Sequence, residues 1–223
     1  MSLSTDAATS EPLVRFARKL SHDLNNFSTV IRTYSELLLS DLPAGSATHA
    51  DVAEIQRAAE NMVQYLQRVT RFARAGSIKR VPIDVDAATL DAVAEFGGAA
   101  PQRVVEARVL SGVTLQADSL WWQDIVGELL RNAHEASPVG RSIVLTQSRE
   151  QETLVLSVED EGAGFAEPLA TNAAEPLVTS KTGVRGAGMG LALVGAFVGT
   201  FGGTLAQTHE GGRTVVSLRL PVG

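Results

Sequence analysis

Between Glu11 and Ala75 the apolar residues recur at helical spacing, interrupted once. Leu13, Phe16, Leu20, Leu24, Phe27, Ile31, Tyr34 and Leu38 step by threes and fours, and Val52, Ile55, Ala59, Met62, Leu66, Val69 and Phe72 do the same. Such near-heptad seams predict two helices of roughly 25–30 residues, because apolar positions three and four apart share one helical face. Asp41-Leu42-Pro43-Ala44-Gly45-Ser46 holds the only glycine of the stretch and its only proline beyond Pro12, and reads as the connection. One hairpin cannot bury both seams by itself. Two hairpins packed as an antiparallel four-helix bundle can, so the pattern predicts a homodimer through residues 11–76.

After Gly76 the period changes. Val81–Val85 reads as a strand, Ala87–Phe96 as a helix, and Val104–Leu110 and Val113–Ala117 as strands. Asp118 is placed to cap a helix over Ser119–Ala136, which Ser137-Pro138-Val139-Gly140 ends. Ile143–Ser148 and Thr153–Asp160 predict a hairpin. A Gly-, Ala-, Pro- and Thr-rich stretch over 161–186 has no apolar period and is longer than an ordinary connection, which marks it as functional. A helix over Ala187–Phe201 and strands over Thr204–Thr208 and Thr214–Leu220 complete the pattern. The expected class is α+β: a helical hairpin, then an α/β sandwich over 77–223, with residues 1–10 a disordered or vector-derived leader.

Composition narrows the chemistry. The chain has no cysteine, which removes disulfides, thiolate metal sites and cysteine nucleophiles and fits a reducing compartment, the cytoplasm. No apolar run is long enough for a membrane span, and no basic-then-apolar leader opens the chain. Residues 1–76 carry eight basic and eight acidic residues, so the whole net charge of −6 sits in the C-terminal part, as 11 − 17. An acidic domain without a basic stripe is a poor partner for nucleic acid.

Two glycine clusters stand out. Asp160-Glu161-Gly162-Ala163-Gly164 ends a strand, and Gly186-Ala187-Gly188-Met189-Gly190-Leu191 opens a helix. Glycines let backbone amides approach phosphate oxygens, and a helix N-terminus favours negative charge. Neither cluster is a dinucleotide fingerprint or a P-loop: the third glycine and the Gly-Lys-Ser/Thr ending are missing. Upstream, Glu128 and Asn132 lie four apart and share one helical face. An amide carbonyl suits the hard oxygen shell of Mg²⁺.

The order Asn132, Asp160-x-Gly-x-Gly, Glu175-Pro176-Leu177-Val178-Thr179-Ser180-Lys181 and Gly186-x-Gly-x-Gly-Leu resembles the ATP-binding (GHKL-type) domain of sensor histidine kinases. Ser21-His22-Asp23-Leu24-Asn25-Asn26 resembles the phosphoacceptor box of their dimerisation hairpin. The resemblance implies that Asp160 accepts the adenine amino group, that Gly162 and Gly164 leave room for the purine, and that Asn132 holds Mg²⁺ on the phosphates of ATP. It implies that Lys181 covers the triphosphate and that Gly186, Gly188 and Gly190 supply amides and freedom of backbone. Leu191 closes that motif and, with the helix behind it, reads as core. Glu128 stands where many of the kinases have Asn; a water-bridged role on Mg²⁺ and a general-base role for water both remain open for it. His22 would be the nucleophile, about 160–200° from the seam at 100° per residue and so outside the bundle core. Asp23 is placed to orient its ring, and the resemblance implies that Asn26, one turn on, positions water against a phospho-aspartate. The implied partner is the receiver domain of a response regulator. Two other readings stay open, an ATP-independent phosphotransfer module and an ATPase that phosphorylates no histidine. His49, His134 and His209 fit no ligand spacing and are expected to be solvated.

Overall fold

A computed structural model describes residues 7–73, 80–164 and 190–222, and the chain divides into two compact units.

In the first unit, helix α1 spans Ala7–Asp41 and helix α2 spans Ala47–Ala73. At 35 residues α1 is longer than the seam predicts and begins ahead of Glu11. The turn is closed by Leu42 N–H to Leu38 O at 3.0 Å and Ser46 N–H to Pro43 O at 3.1 Å. Gly45 takes φ +83° there. Ser46 caps α2, its hydroxyl accepting from His49 N–H at 3.1 Å. The face of α1 turned to α2 is not the bulky seam. It is a stripe of small polar residues seven apart: Ser21 donates to Leu66 O at 3.3 Å and pairs with Thr70, and Ser28 and Ser35 are buried. Val52, Ala59 and Leu66 repeat the same spacing on α2 and are buried too. Small side chains let the helices approach and leave the bulky ones outside. Phe16 (64%), Phe27 (62%) and Tyr34 (65%) accordingly stand exposed along one hairpin, with Leu20, Ile31 and Leu38 beside them.

In the second unit, β1 (Val81–Asp84) pairs antiparallel with β3 (Thr114–Ala117) as a separate two-stranded sheet. Five strands form the main sheet in the order β2-β4-β5-β7-β6: Val105–Leu110, Ile143–Glu150, Thr153–Asp160, Arg213–Pro221 and Thr204–Glu210. Among the described strands of this sheet, only β2 and β4 run parallel. Alternate residues are buried, such as Leu154, Leu156, Val158 and Asp160 on β5, and this inward face meets three helices. They are α3 (Val85–Ala99), α4 (Ser119–Ala136) and α5 (Gly190–Thr200). Asp118 caps α4 through Leu120 and Trp121 N–H, and Asp84 caps α3 likewise. Trp121 and Trp122 of α4 meet Phe197 of α5 at ring centroid distances of 6.2 and 6.1 Å.

A buried polar chain ties these layers. Trp122 Nε1–H donates to Thr89 Oγ1 at 2.7 Å, Thr89 donates to Gln147 Oε1 at 2.6 Å, and Gln147 Nε2 donates to Asp86 Oδ1 at 2.6 Å. Asp86 also accepts from the Ser111 hydroxyl and from the amides of Ser111 and Gly112, pinning the turn between β2 and β3. Partial burial pushes its carboxyl up, but the bonds from Ser111, Gly112 and Gln147 outweigh that and hold it below its ordinary value. Its stabilisation is therefore complete above the ordinary carboxylate range and is lost as pH falls through the lowered folded value. Asp86→Ala should cost on the order of 3 kcal/mol in urea unfolding at pH 7, because it orphans buried donors. The difference from wild type should shrink at acid pH.

Candidate functional site

Helix α4 places Glu128 and Asn132 one turn apart, and the start of α5 is packed against both. A Cβ on Gly190 would stand 3.0 Å from Glu128 Oε2 and 3.3 Å from Asn132 Nδ2. A side chain there would fit only if Glu128 and Asn132 gave way by a few tenths of an ångström. Glu128 is 2% exposed and its Oε1 pairs with Arg131 Nη2 at 2.8 Å. The Asn132 Nδ2 is buried and has no partner among the described residues. A carboxylate and an amide converging on a glycine form a hard, oxygen-bearing pair that fits Mg²⁺ completed by phosphate and water. Among the described residues no group of three His, Cys, Asp or Glu side chains could hold a metal unaided.

Beside the C-terminus of α4, one turn beyond Asn132, lies Asp160, the last residue of β5, 4% exposed. Its Oδ1 accepts from Gly162 N–H at 2.7 Å. Burial raises its pKa above the ordinary value, and the bond from Gly162 and the pull of His209 only partly offset this. A Cβ on Gly162 would meet Asp160 Oδ1 at 2.6 Å and Ala136 Cβ and O at 2.8 and 2.9 Å. Gly162 is thus the close approach between the carboxylate and the C-terminus of α4.

That terminus is fixed by Arg103. Its Nε donates to His134 Nδ1 at 2.9 Å, and its other nitrogens reach the carbonyls of His134, Ser137, Pro138 and Arg141. A guanidinium there satisfies carbonyls that a helix end leaves bare. His134 is therefore not the solvated residue its spacing predicts: it accepts Arg103 and sets its ring edge against Phe96 at 5.9 Å. His209 is exposed, as its spacing predicts, and also packs on Gly164 and bonds Thr214 Oγ1 at 3.0 Å. Thr214, 2% exposed and in register with Asp160, is a site neighbour that motif reading missed. Its signal was its phase, since Thr214, Val216, Leu218 and Leu220 alternate onto one buried face.

Gly162, Asn132, Glu128 and Gly190 are thus gathered with Asp160 along α4, while Gly164 packs on His209 of β6. Leu191 is 8% exposed and belongs to the core. The loop motif Glu175–Lys181, with Lys181 itself, and Gly186 and Gly188 lie outside the described residues.

In the hairpin unit the His22 side chain is 73% exposed and its Nδ1 lies 3.2 Å from Asp23 Oδ1. With the proton on Nδ1, Asp23 accepts it and the Nε2 lone pair faces solvent. Asn26, four residues on, is exposed on the same side. A groove of about 390 Å³ follows, lined by Asn25, Thr29, Arg32, Glu60 and Gln64 among others. Among the described residues no helix is long and apolar enough to cross a membrane.

Comparison with known proteins matches residues 117–223 to the family "Histidine kinase-, DNA gyrase B-, and HSP90-like ATPase". The C4-dicarboxylate transport sensor protein DctB of Pseudomonas aeruginosa is 28% identical over 92% of this chain and 35% of its own. The sensory histidine kinase/phosphatase NtrB of Azospirillum brasilense is 26% identical over 92% of this chain and 55% of its own. The chain thus spans about a third to a half of these relatives. Full-length ShkA, solved with AMPPNP, superposes with a TM-score of 0.70 over 95% of this chain and 45% of its own, at 19% identity. This likeness establishes the shared fold: a helical hairpin followed by an α/β domain.

Proposed function

We propose that this chain, whose residues 117–223 match the histidine kinase-, DNA gyrase B- and HSP90-like ATPase family, is the core of a sensor histidine kinase that transfers the γ-phosphoryl group of ATP to His22 and then to an aspartate of a response-regulator receiver domain. The observation that carries this reading is the exposed, Asp23-oriented imidazole of His22 on a chain that also gathers Asp160, Gly162, Asn132 and Gly190 along α4. Asp160 receives the adenine amino group, a charged acceptor for a fixed donor. Gly162 and Gly164 admit the purine, Gly190 brings the start of α5 against Asn132, and Gly186, Gly188 and Lys181 contribute to the phosphate end. Mg²⁺, held by Asn132 with Glu128 behind it, would neutralise phosphate charge that an acidic domain cannot neutralise alone.

In the transfer the Nε2 lone pair of His22 attacks the γ-phosphorus, the bond to the β–γ bridging oxygen breaks, and ADP leaves. The protein's part in such a step is chiefly positioning and charge compensation. Asp23 holds the ring by its Nδ1 proton and stabilises the positive charge that develops. The domains 11–76 and 77–223 act as the acceptor and the ATP-binding unit. The exposed row Phe16, Leu20, Phe27, Ile31, Tyr34 and Leu38 supports a homodimer in which a second hairpin covers it. Asn26, one turn from His22, is placed to direct water at a phospho-aspartate, the phosphatase half of the activity that NtrB's name carries.

The test is covalent labelling. Incubation with γ-labelled ATP and Mg²⁺ should give a phosphoprotein stable to alkali and labile to acid, as a phosphoramidate is. An unlabelled chain at saturating nucleotide, or an acid-stable label, would overturn the proposal.

A further inference from the structure

The loop from Asp160 to Gly164 is gripped at two points, and its two glycines mark them. One is the contact of Gly162 with Ala136 and the Asp160 carboxylate. The other is independent of α4. Gly164 takes φ +73°, and a Cβ built on it would stand 2.6 Å from His209 Cγ and 2.7 Å from His209 Nδ1. The imidazole therefore lies directly on the Gly164 backbone.

Strand register explains how a residue of β6 comes to be there. Asp160 pairs with Thr214 across β5 and β7, and Thr214 pairs with His209 across β7 and β6. The three residues form one row across the end of the sheet, with Asp160 and Thr214 buried and His209 at the exposed rim. His209 Nδ1 and Thr214 Oγ1 are 3.0 Å apart, which fixes the ring over the loop. His209 also pulls electrostatically on the Asp160 carboxyl against the effect of burial.

We propose that His209 is a positioning residue of the base-binding slot: held by Thr214, its ring clamps the backbone at Gly164 and so sets the Asp160 carboxylate for the amino group of adenine. The role rests on the reading of Asp160 as the adenine acceptor. It makes a demand that mere packing does not, since loss of the clamp should weaken recognition of the amino group specifically and leave the phosphate end alone.

The experiment compares ADP with IDP, whose hypoxanthine base has no exocyclic amino group, by calorimetric titration of the full chain with Mg²⁺. Wild type should bind ADP more tightly than IDP. His209→Ala should lose about tenfold in ADP affinity, the worth of one hydrogen bond to a charged group, and change IDP binding by less than about twofold. His209→Asn keeps a polar nitrogen near the position of Nδ1 and should recover most of the discrimination. Thermal unfolding of each variant verifies that the domain is folded. Unchanged ADP affinity in a folded His209→Ala chain would overturn the clamp, as would equal losses for ADP and IDP. So would a folded His209→Asn variant that behaves like the alanine variant. A wild type that binds neither nucleotide, or binds both equally, would instead remove the adenine reading on which the clamp rests.

Discussion

His22→Ala is expected to bring covalent labelling by γ-labelled ATP to background while ADP affinity stays within about twofold of wild type. The expectation follows from where the residue stands. Its side chain is exposed and makes a surface contact with Asp23, and exposed ion pairs contribute about 0–1 kcal/mol, so the hairpin should keep its fold without it. The base and metal contacts proposed above for Asp160, Gly162, Gly164 and Asn132 belong to another compact unit. An ordinary nucleophile removal of this kind leaves binding intact and takes away the acceptor, so the effect should be all on transfer. Asp23→Asn is a useful companion: it keeps the shape, weakens the hold on the Nδ1 proton, and should slow labelling without abolishing it. Labelling that survives in His22→Ala would place the acceptor elsewhere. ATP turnover that continues undiminished in that variant would favour the ATPase reading.

Asp160→Asn should weaken adenine nucleotide binding by about 10–100-fold, the range for losing a hydrogen bond to a charged acceptor in a buried site. Its effect on stability should run the other way. Burial raises the folded pKa of Asp160, so the favourable contribution of its protonated form is complete below the ordinary carboxylate range and is lost as pH rises through the raised value. At neutral pH the wild-type domain therefore carries a buried charge that the asparagine variant does not. The variant's Oδ1 can still accept from Gly162. Unfolding without nucleotide should show it at least as stable as wild type at pH 7, with the advantage falling away in acid. Wild-type nucleotide affinity should fall as Asp160 protonates, at higher pH than for an ordinary aspartate. A variant both unstable and binding-deficient at pH 7 would mean that Asp160 serves the fold first.

The sequence made some of this legible and hid the rest for definite reasons. Helix α4 could be read to the residue, because Asp118 supplies a cap, the apolar spacing is regular and Ser137-Pro138 ends it. The β4–β5 hairpin was equally plain, being local. The pairing of β1 with β3, and the parallel seat of β2 beside β4, join strands separated by whole helices, and no local pattern encodes that. In the hairpin the seam residues were correctly seen as apolar, but the face turned to α2 is made of Ser21, Ser28 and Ser35, which read as surface. Their smallness is what qualifies them for close approach. Around Asp160, the Asp-x-Gly-x-Gly motif announced the carboxylate and both glycines. His209 could not be found that way. A single histidine near the end of a strand carries no spacing signal, and its place over Gly164 comes from the register of three strands. His134 is similar, since Arg103, its partner, is thirty-one residues away in the chain.

The most direct measurement is to locate the phosphate. After a short incubation of the full chain with Mg-ATP at neutral pH, proteolysis and mass spectrometry under alkaline conditions should find phosphorylation on the fragment containing His22, and on no other histidine. Phosphate on His49, His134 or His209, on a serine or threonine, or on no residue despite saturating nucleotide, would contradict the account.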